Sequence, residues 1–413
     1  MKTEYEIVKE RFSVKGGFGP LGNAENGIEL DILPITVFIG PQGTGKSLVS
    51  QLLYLFRDAE YLLAEYSEYG RQVYTLFPEH SDMISALFHK IIEGMRGGMH
   101  GNLSSLLTTS DVRVCYEWEQ SKPASKSERE ISISRDKDKI RPSKPFADEI
   151  EGWLQHWISD PVSSAKISEK AIFTPAERTF YSYFIASNPR VIFSEELPLT
   201  THEFARRCMR AIERHEVSEQ TDEIERLVSD ALGGKITSVQ KEGYPRKLQW
   251  LPIKSEQPIP ITMASSGQMS AWPLVIIAKD IFATRNIPLF LHIEEPEIHL
   301  HPKAQVAVVK LLAYLVNNGV RIVVTTHSLT VLYALNNLTL AYRQLGNKAA
   351  ERVPEVSVRL PPEKMVAYLF DMDGKIEKIA DESGQIDEGL LGEVLGDLEI
   401  EFNRLTAYNI LWD

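Results

Sequence analysis

Eight consecutive residues, Gly40-Pro41-Gln42-Gly43-Thr44-Gly45-Lys46-Ser47, satisfy the pattern G-x-x-x-x-G-K-[ST] at every fixed position. Glycines at this spacing let the main chain wrap an anion with its N–H groups inward, and the following helix adds its positive end. Lys46 would reach the β/γ oxygens of a nucleoside triphosphate and Ser47 would ligate Mg²⁺. The flanks fit that chemistry. Ile35-Thr36-Val37-Phe38-Ile39 reads as a buried strand and Leu48-Val49-Ser50-Gln51-Leu52-Leu53 as the start of a helix, so the loop is a strand-to-helix turn. A turn that binds nothing would not need all three parts to agree.

A second segment supplies carboxylates. Leu289-Phe290-Leu291-His292-Ile293 is mostly apolar, as expected of a strand buried on both faces, and it ends in Glu294-Glu295-Pro296-Glu297. Ligands of open α/β sheets lie beyond the carboxyl ends of strands, which puts these acids beside the phosphates. Glu294 is the candidate Mg²⁺ holder, directly or through water, and Glu295 the candidate base that polarises an attacking water. The expected ligands are therefore ATP and Mg²⁺, and the expected reaction is ATP hydrolysis.

Two further segments refine the type. Ala264-Ser265-Ser266-Gly267-Gln268-Met269 precedes the helix-like run Trp272-Pro273-Leu274-Val275-Ile276-Ile277-Ala278, and Val323-Val324-Thr325-Thr326-His327-Ser328 ends a β-branched strand in a histidine. On these four ordered motifs the chain resembles the ABC-type ATPase heads of the RecF, SMC and OLD group. The resemblance covers residues 1 to about 60 and about 235 to 345. It implies that Ser265, Ser266, Gly267 and Gln268 cap the γ-phosphate held by a second copy, and that His327 senses that phosphate. It also implies a head-to-tail dimer or higher homo-oligomer.

Departures from the pattern are Glu294 where the usual residue is aspartate, and Ser266 where the usual one is glycine. The longer carboxylate reaches one methylene further, so slow turnover is expected. The run Glu294 to Pro302 resembles the E-E-P-E-x-H-L-H-P form of stand-alone bacterial and phage-defence members. The resemblance thus extends to ATPase subunits of the PARIS or Septu type, and implies an antiviral switch that controls a separate nuclease or toxin. A RecF- or SMC-like DNA-repair ATPase that binds DNA is the alternative. His299 and His301 have no cysteine or third ligand beside them, so a loop at the dimer interface is preferred to a metal pair. Phe173-Thr174-Pro175-Ala176-Glu177-Arg178 resembles the P-A-x-R element of these heads. Arg178 is left with two readings, a contact to phosphate or the facing subunit and an ordinary structural donor.

Composition sets limits on partners. The 413 residues are 43% hydrophobic and 25% charged, enough for a large core without disordered bias. Cys115 and Cys208 are the whole cysteine complement, which offers no disulfide framework. No stretch approaches a membrane span and no apolar leader opens the chain, so a cytoplasmic setting without membrane contact is expected. A net charge of −12 makes general nucleic-acid binding possible but not favoured. Lys122, Lys126, Arg129, Arg135, Lys137, Lys139, Arg141 and Lys144 cluster, but Glu128, Glu130, Asp136 and Asp138 interrupt them, so a solvated hairpin is preferred to a DNA patch.

The elements that must position these residues read as a single ABC-type head over 1–413, of α/β class with a mixed sheet. Strands at Glu4–Val8 and Gly27–Ile32, separated by the glycine-rich run 16–22, give an antiparallel N-terminal flap. A helical subregion spans 60–110, where Met83, Ile84, Leu87, Ile91 and Met95 recur at helical spacing. Strands are expected at Asp111–Tyr116 and Glu130–Ser134. The segment 196–232 reads as a short helical insertion, a lid or docking arm, because about 30 helical residues reach only about 45 Å. A hairpin over Met365–Phe370 and Gly374–Ile379 and a helix closing near Leu405 follow. The resemblance implies that no room is left for the nuclease domain of OLD proteins, so an effector is expected on another chain.

Overall fold

The computed structural model describes residues 7–21, 27–65, 109, 111–121, 124–134, 139–159, 170–179, 199–214, 219–239, 247–284, 289–387, 400–401 and 403–405. In chain order the strands are β1 (Ile7–Lys15), β2 (Ile28–Asp31), β3 (Ile35–Ile39), β4 (Asp111–Ser121), β5 (Ala124–Ser134), β6 (Lys139–Pro142) and β7 (Ala171–Thr174). They continue with β8 (Gly234–Val239), β9 (Lys247–Pro252), β10 (Ile259–Pro260), β11 (Phe290–Glu294), β12 (Arg321–Thr326), β13 (Met365–Phe370) and β14 (Ile376–Lys378). The helices are α1 (Lys46–Arg57), α2 (Ala59–Glu65), α3 (Lys144–Ser159), α4 (Leu199–Glu213), α5 (Glu219–Leu232), α6 (Ser266–Thr284), α7 (Pro302–Asn317) and α8 (Leu329–Leu345).

The sheet that carries the chemistry has the order β14-β13-β3-β12-β11-β7. Its strands run parallel except the edge strand β14, which turns back on β13. Both faces are covered, and residue alternation sorts the side chains between them. Ile35, Val37, Ile39, Leu291, Ile293, Ile322 and Val324 enter one core cluster, with the helices α4 to α8. Phe38, Phe290, Val323, Val366 and Phe370 enter a second cluster, with α1 and the antiparallel sheet β2-β1-β4-β5-β6. Each fully buried large apolar side chain contributes about 1.5–3 kcal/mol relative to exposure, so both clusters are needed.

The antiparallel flap expected at the N-terminus is present, and the β4–β5 hairpin extends it. Both hairpin strands run further than the apolar alternation suggested, because Arg129 occupies an inward position. Its guanidinium bonds Glu149 at 2.8 Å, donates to the Phe56 carbonyl and lies 5.1 Å from the Trp118 ring and 5.2 Å from that of Trp153. That removes Arg129 from the basic cluster and supports the hairpin reading. Lys122, Arg135 and Lys137 lie outside the described residues, as do positions 66–108 of the 60–110 subregion and most of the closing helix.

The segment 196–232 is helical over its described residues. Described from 199, it forms α4 and α5, which are packed into the main cluster through Phe204, Cys208, Ile212, Ile224, Leu227 and Val228. Arg207 of α4 reaches Asp280 of α6 at 2.8 Å, and Lys279 of α6 pairs with Glu225 of α5. The apolar stripes of the pair face α6 and α7. The hairpin β13–β14, with its turn at Asp371–Lys375, forms as read.

One buried polar network ties the two sheets together. Glu10 of β1 meets Arg57 at 2.7 Å, and it also pairs with Arg321 and Tyr116. These two arginines offset the burial that would otherwise raise the Glu10 pKa and hold it below the usual carboxylate range. Arg57 also donates to Nε2 of His292 at 3.1 Å, and Nδ1 of that ring lies 3.2 Å from Ser50 Oγ. Since an arginine only donates, the ring must carry its proton on Nδ1. Among the described residues, no helix is long and apolar enough to cross a membrane.

Candidate nucleotide site

The parallel strands β3, β12 and β11 end at the same edge, and each delivers one part of the site. After β3 the loop 40–47 turns into α1, with Gly45 as the residue before the helix at φ 97. A side chain there would strain the backbone and meet Leu21 Cδ2 at 2.6 Å, so only glycine fits. Pro41, Gln42 and Gly43 form an exposed crest, while Thr44 is buried and donates to the Pro41 carbonyl at 2.9 Å. The Lys46 ammonium folds back to the carbonyls of Gly40 (2.8 Å) and Pro41 (2.5 Å). Burial lowers its pKa to about 8, against the opposing charges of Glu295 and Glu297.

β11 delivers Glu294, whose carboxyl is almost fully enclosed. Burial pushes its pKa up to about 7; the Ser47 hydroxyl and the Ala176 N–H oppose the shift, and Glu177 and Glu295 add to it. Oε2 accepts the Ala176 N–H at 3.3 Å, whereas Oε1 is buried with no hydrogen-bond partner. A leftover hard oxygen beside a hydroxyl is the donor set that Mg²⁺ takes. Ser47 and Glu294, expected as metal ligands, are therefore brought together.

Glu295 adopts φ 43, the left-handed region that is rare outside glycine. Its N–H is held by the Thr325 carbonyl at 2.8 Å. One carboxylate oxygen lies 3.5 Å from His327 Nε2, the residue that follows β12. The proposed base and the proposed sensor are thus adjacent. Glu297 completes the corner, with Oε1 accepting from Thr326 Oγ1 (2.6 Å) and from the His327 N–H (2.8 Å). Its role went unassigned in the sequence, although its place in the acidic run was the available signal.

Ser265–Gln268 sit at the start of α6, and the helix begins within the motif itself. Ser265 Oγ accepts the Gln268 N–H at 3.3 Å and Gln268 Oε1 accepts the Ser265 N–H at 2.9 Å, a reciprocal capping box. Gln268 Nε2 also donates to the Leu232 carbonyl at 2.9 Å, and a methyl on Gly267 would meet the His299 carbonyl at 2.8 Å. The contacts of this segment run to α5 and to the loop after Glu297. Ser265 and Ser266 are exposed. His301 caps α7 by accepting the Lys303 N–H at 3.3 Å, which gives it a structural role.

Arg178 is buried and answers the question its sequence left open. Nε donates to the Ser270 carbonyl (3.0 Å), Nη1 to those of Pro175 (3.3 Å) and Glu294 (2.7 Å), and Nη2 to that of Glu295 (2.8 Å). It holds the main chain behind the carboxylates and does not stand in the phosphate cradle.

Residues 199–332 match a family model described as an AAA ATPase domain. That span includes Ser265–Gln268, Glu294, Glu295 and His327; the loop 40–47 and Arg178 fall outside it, and the fold brings them back. No curated protein matches the chain. Among solved structures, it is similar to an Smc head bound to the C-winged helix domain of ScpA, at 12% identity and a TM-score of 0.48 over 90% of this chain and 96% of that one. It is also similar to an Smc head with an extended coiled coil bound to the C-terminal domain of ScpA from Pyrococcus furiosus. The values there are 12% identity and a TM-score of 0.45, over 95% of this chain and 100% of that one. An SMC head from Thermotoga maritima matches at 13% identity and a TM-score of 0.39, over 79% of this chain and 91% of that one. The fold is of α/β class, with a mainly parallel sheet whose β3 leads through the glycine-rich loop into α1, and the domain matched over residues 199–332 is that of an ATPase.

Proposed function

We propose that two copies of this chain pair head to tail around two ATP molecules, and that closing and opening of the pair is the switch of an anti-phage defence system with a separately encoded nuclease or toxin. The observation that carries the reading is the convergence of Lys46, Ser47, Glu294, Glu295 and His327 on one sheet edge, with an exposed capped helix start at Ser265 and Ser266 available to a second copy. In this scheme Lys46 and the loop amides bind the β/γ-phosphates, and Ser47 with Glu294 holds Mg²⁺. The ion, when bound, neutralises charge that builds on the phosphate oxygens. Glu295 orients and polarises the attacking water, and His327 reports the γ-phosphate to α8.

The defence assignment draws on the E-E-P-E-x-H-L-H-P form of residues 294–302, and the net charge of −12 weighs against a clamp on duplex DNA. Glu295→Gln tests the switch, since removing the base spares affinity and traps the closed state. Light scattering of this variant is expected to show a doubled mass with ATP, while the wild type stays at the single-chain mass after turnover. A phage panel plated on a host carrying the native locus is expected to lose protection with Lys46→Ala. Full protection with that variant, or duplex-DNA binding by the wild type that falls steeply with salt, would sink the defence reading.

A further inference from the structure

We propose that Arg178 is a positioning residue for hydrolysis, holding the main chain of Glu295 in the strained conformation that aims its carboxylate at the water site. The proposal rests on Glu295 acting as the base.

The geometry has three parts. First, two arms of one guanidinium take consecutive carbonyls, Glu294 O at 2.7 Å and Glu295 O at 2.8 Å. A planar fork fixed at two successive carbonyls sets the peptide planes on both sides of the Glu295 Cα, which a single donor cannot do. Second, Glu295 needs such a hold. A non-glycine residue at φ 43 is strained, and the following Pro296 narrows the choices of residue 295 further. Without outside bonds the segment would relax toward extended backbone, and the carboxylate that now lies 3.5 Å from His327 would swing away. Third, the fork itself is anchored elsewhere. Nε bonds the Ser270 carbonyl of α6 at 3.0 Å.

A merely structural arginine would be expected to pair with a carboxylate side chain. Here the bonds that define its position go to main-chain carbonyls, and three of the carboxylates around it belong to Glu294, Glu295 and Glu297. Burying a guanidinium is unfavourable unless its donors are satisfied. At this place that cost is offset by fixing one peptide unit. Burial lowers the Arg178 pKa to about 10, so the group stays charged at neutral pH.

The test uses the full chain. Arg178→Lys keeps a charge but, with one nitrogen on a flexible stem, loses the planar fork that holds the Ser270, Glu294 and Glu295 carbonyls at once, and ATP affinity is measured by calorimetry beside steady-state hydrolysis. ATP affinity within about twofold of wild type and a kcat lower by about 10- to 100-fold are expected, since roughly an ångström of misplacement costs that much. In the Glu295→Gln background the same substitution is expected to leave the residual rate unchanged, because its effect passes through Glu295. Arg178→Gln, which retains a single uncharged donor nitrogen, is expected to give the same split should the lysine variant melt before assay. A kcat within twofold of wild type, a parallel loss of affinity and rate, or an equal further loss on top of Glu295→Gln would each overturn the proposal. Wild-type turnover by Glu295→Gln alone would overturn the base assignment and this inference together. An inactive Glu295→Gln beside a fully active Arg178→Lys would overturn this inference alone.

Discussion

Lys46 and His292 are buried groups that the fold holds in opposite protonation states for different ends. Lys46 must be charged to meet phosphate, so Lys46→Ala is expected to abolish ATP binding in calorimetry with little change in melting temperature. Retained tight affinity would count against the whole site. His292 is held neutral, first by burial and then by the charge of Arg57, well below the usual histidine range. The unfolded chain takes up a proton near pH 6.5 and the folded chain does not, so stability is lost as pH falls below about 6.5. His292→Gln keeps an acceptor for Arg57 and a donor for Ser50. Its urea midpoint is expected to stay flat between about pH 6.5 and 5.5, where that of the wild type declines. Glu10→Gln is harsher, because it leaves Arg57 and Arg321 without their shared anion, and about 3–5 kcal/mol of stability should go in a denaturant melt.

At the scale of elements, the capping box of α6 separates two jobs of Ser265. Ser265→Ala removes the cap and should cost about 1 kcal/mol. Ser265→Asp caps equally well but sets a negative charge where a neighbour's γ-phosphate would lie. It is therefore expected to melt with the wild type while turnover falls to background; an active aspartate variant would remove this segment from the site. The loop, the acidic strand end and the β13–β14 hairpin were legible because their chemistry and their flanks lie in one short window. The longer information was not. Arg129 broke the apolar alternation of the β4–β5 hairpin from an inward position. The stripes of α4 and α5 predicted helices but not the α6 and α7 surfaces that cover them. Arg178 was ambiguous because its partners are backbone carbonyls of residues about a hundred positions away, and carbonyls leave no mark in a sequence.

For the whole molecule, a site shared between copies predicts complementation. Lys46→Ala lacks a working loop and Ser265→Asp a working cap, so neither forms an active pair with itself. Mixed in equal amounts, they should recover about a quarter of wild-type turnover, because half the pairs are mixed and each has one complete site. No recovery at any ratio, with mixed pairs shown to form, would remove the shared site. The phosphate loop also depends on distant parts of its own chain. Its strand β3 is flanked by β12 and β13, about 290 and 330 residues further along. During synthesis the nucleotide-binding loop therefore leaves the ribosome long before either neighbouring strand exists. Such non-local pairing makes folding slow, and it places acquisition of ATP among the last events of maturation. Nascent chains halted before residue 321 are accordingly expected to retain no ATP on a nucleotide resin, and capture by such a chain would show that the loop forms early.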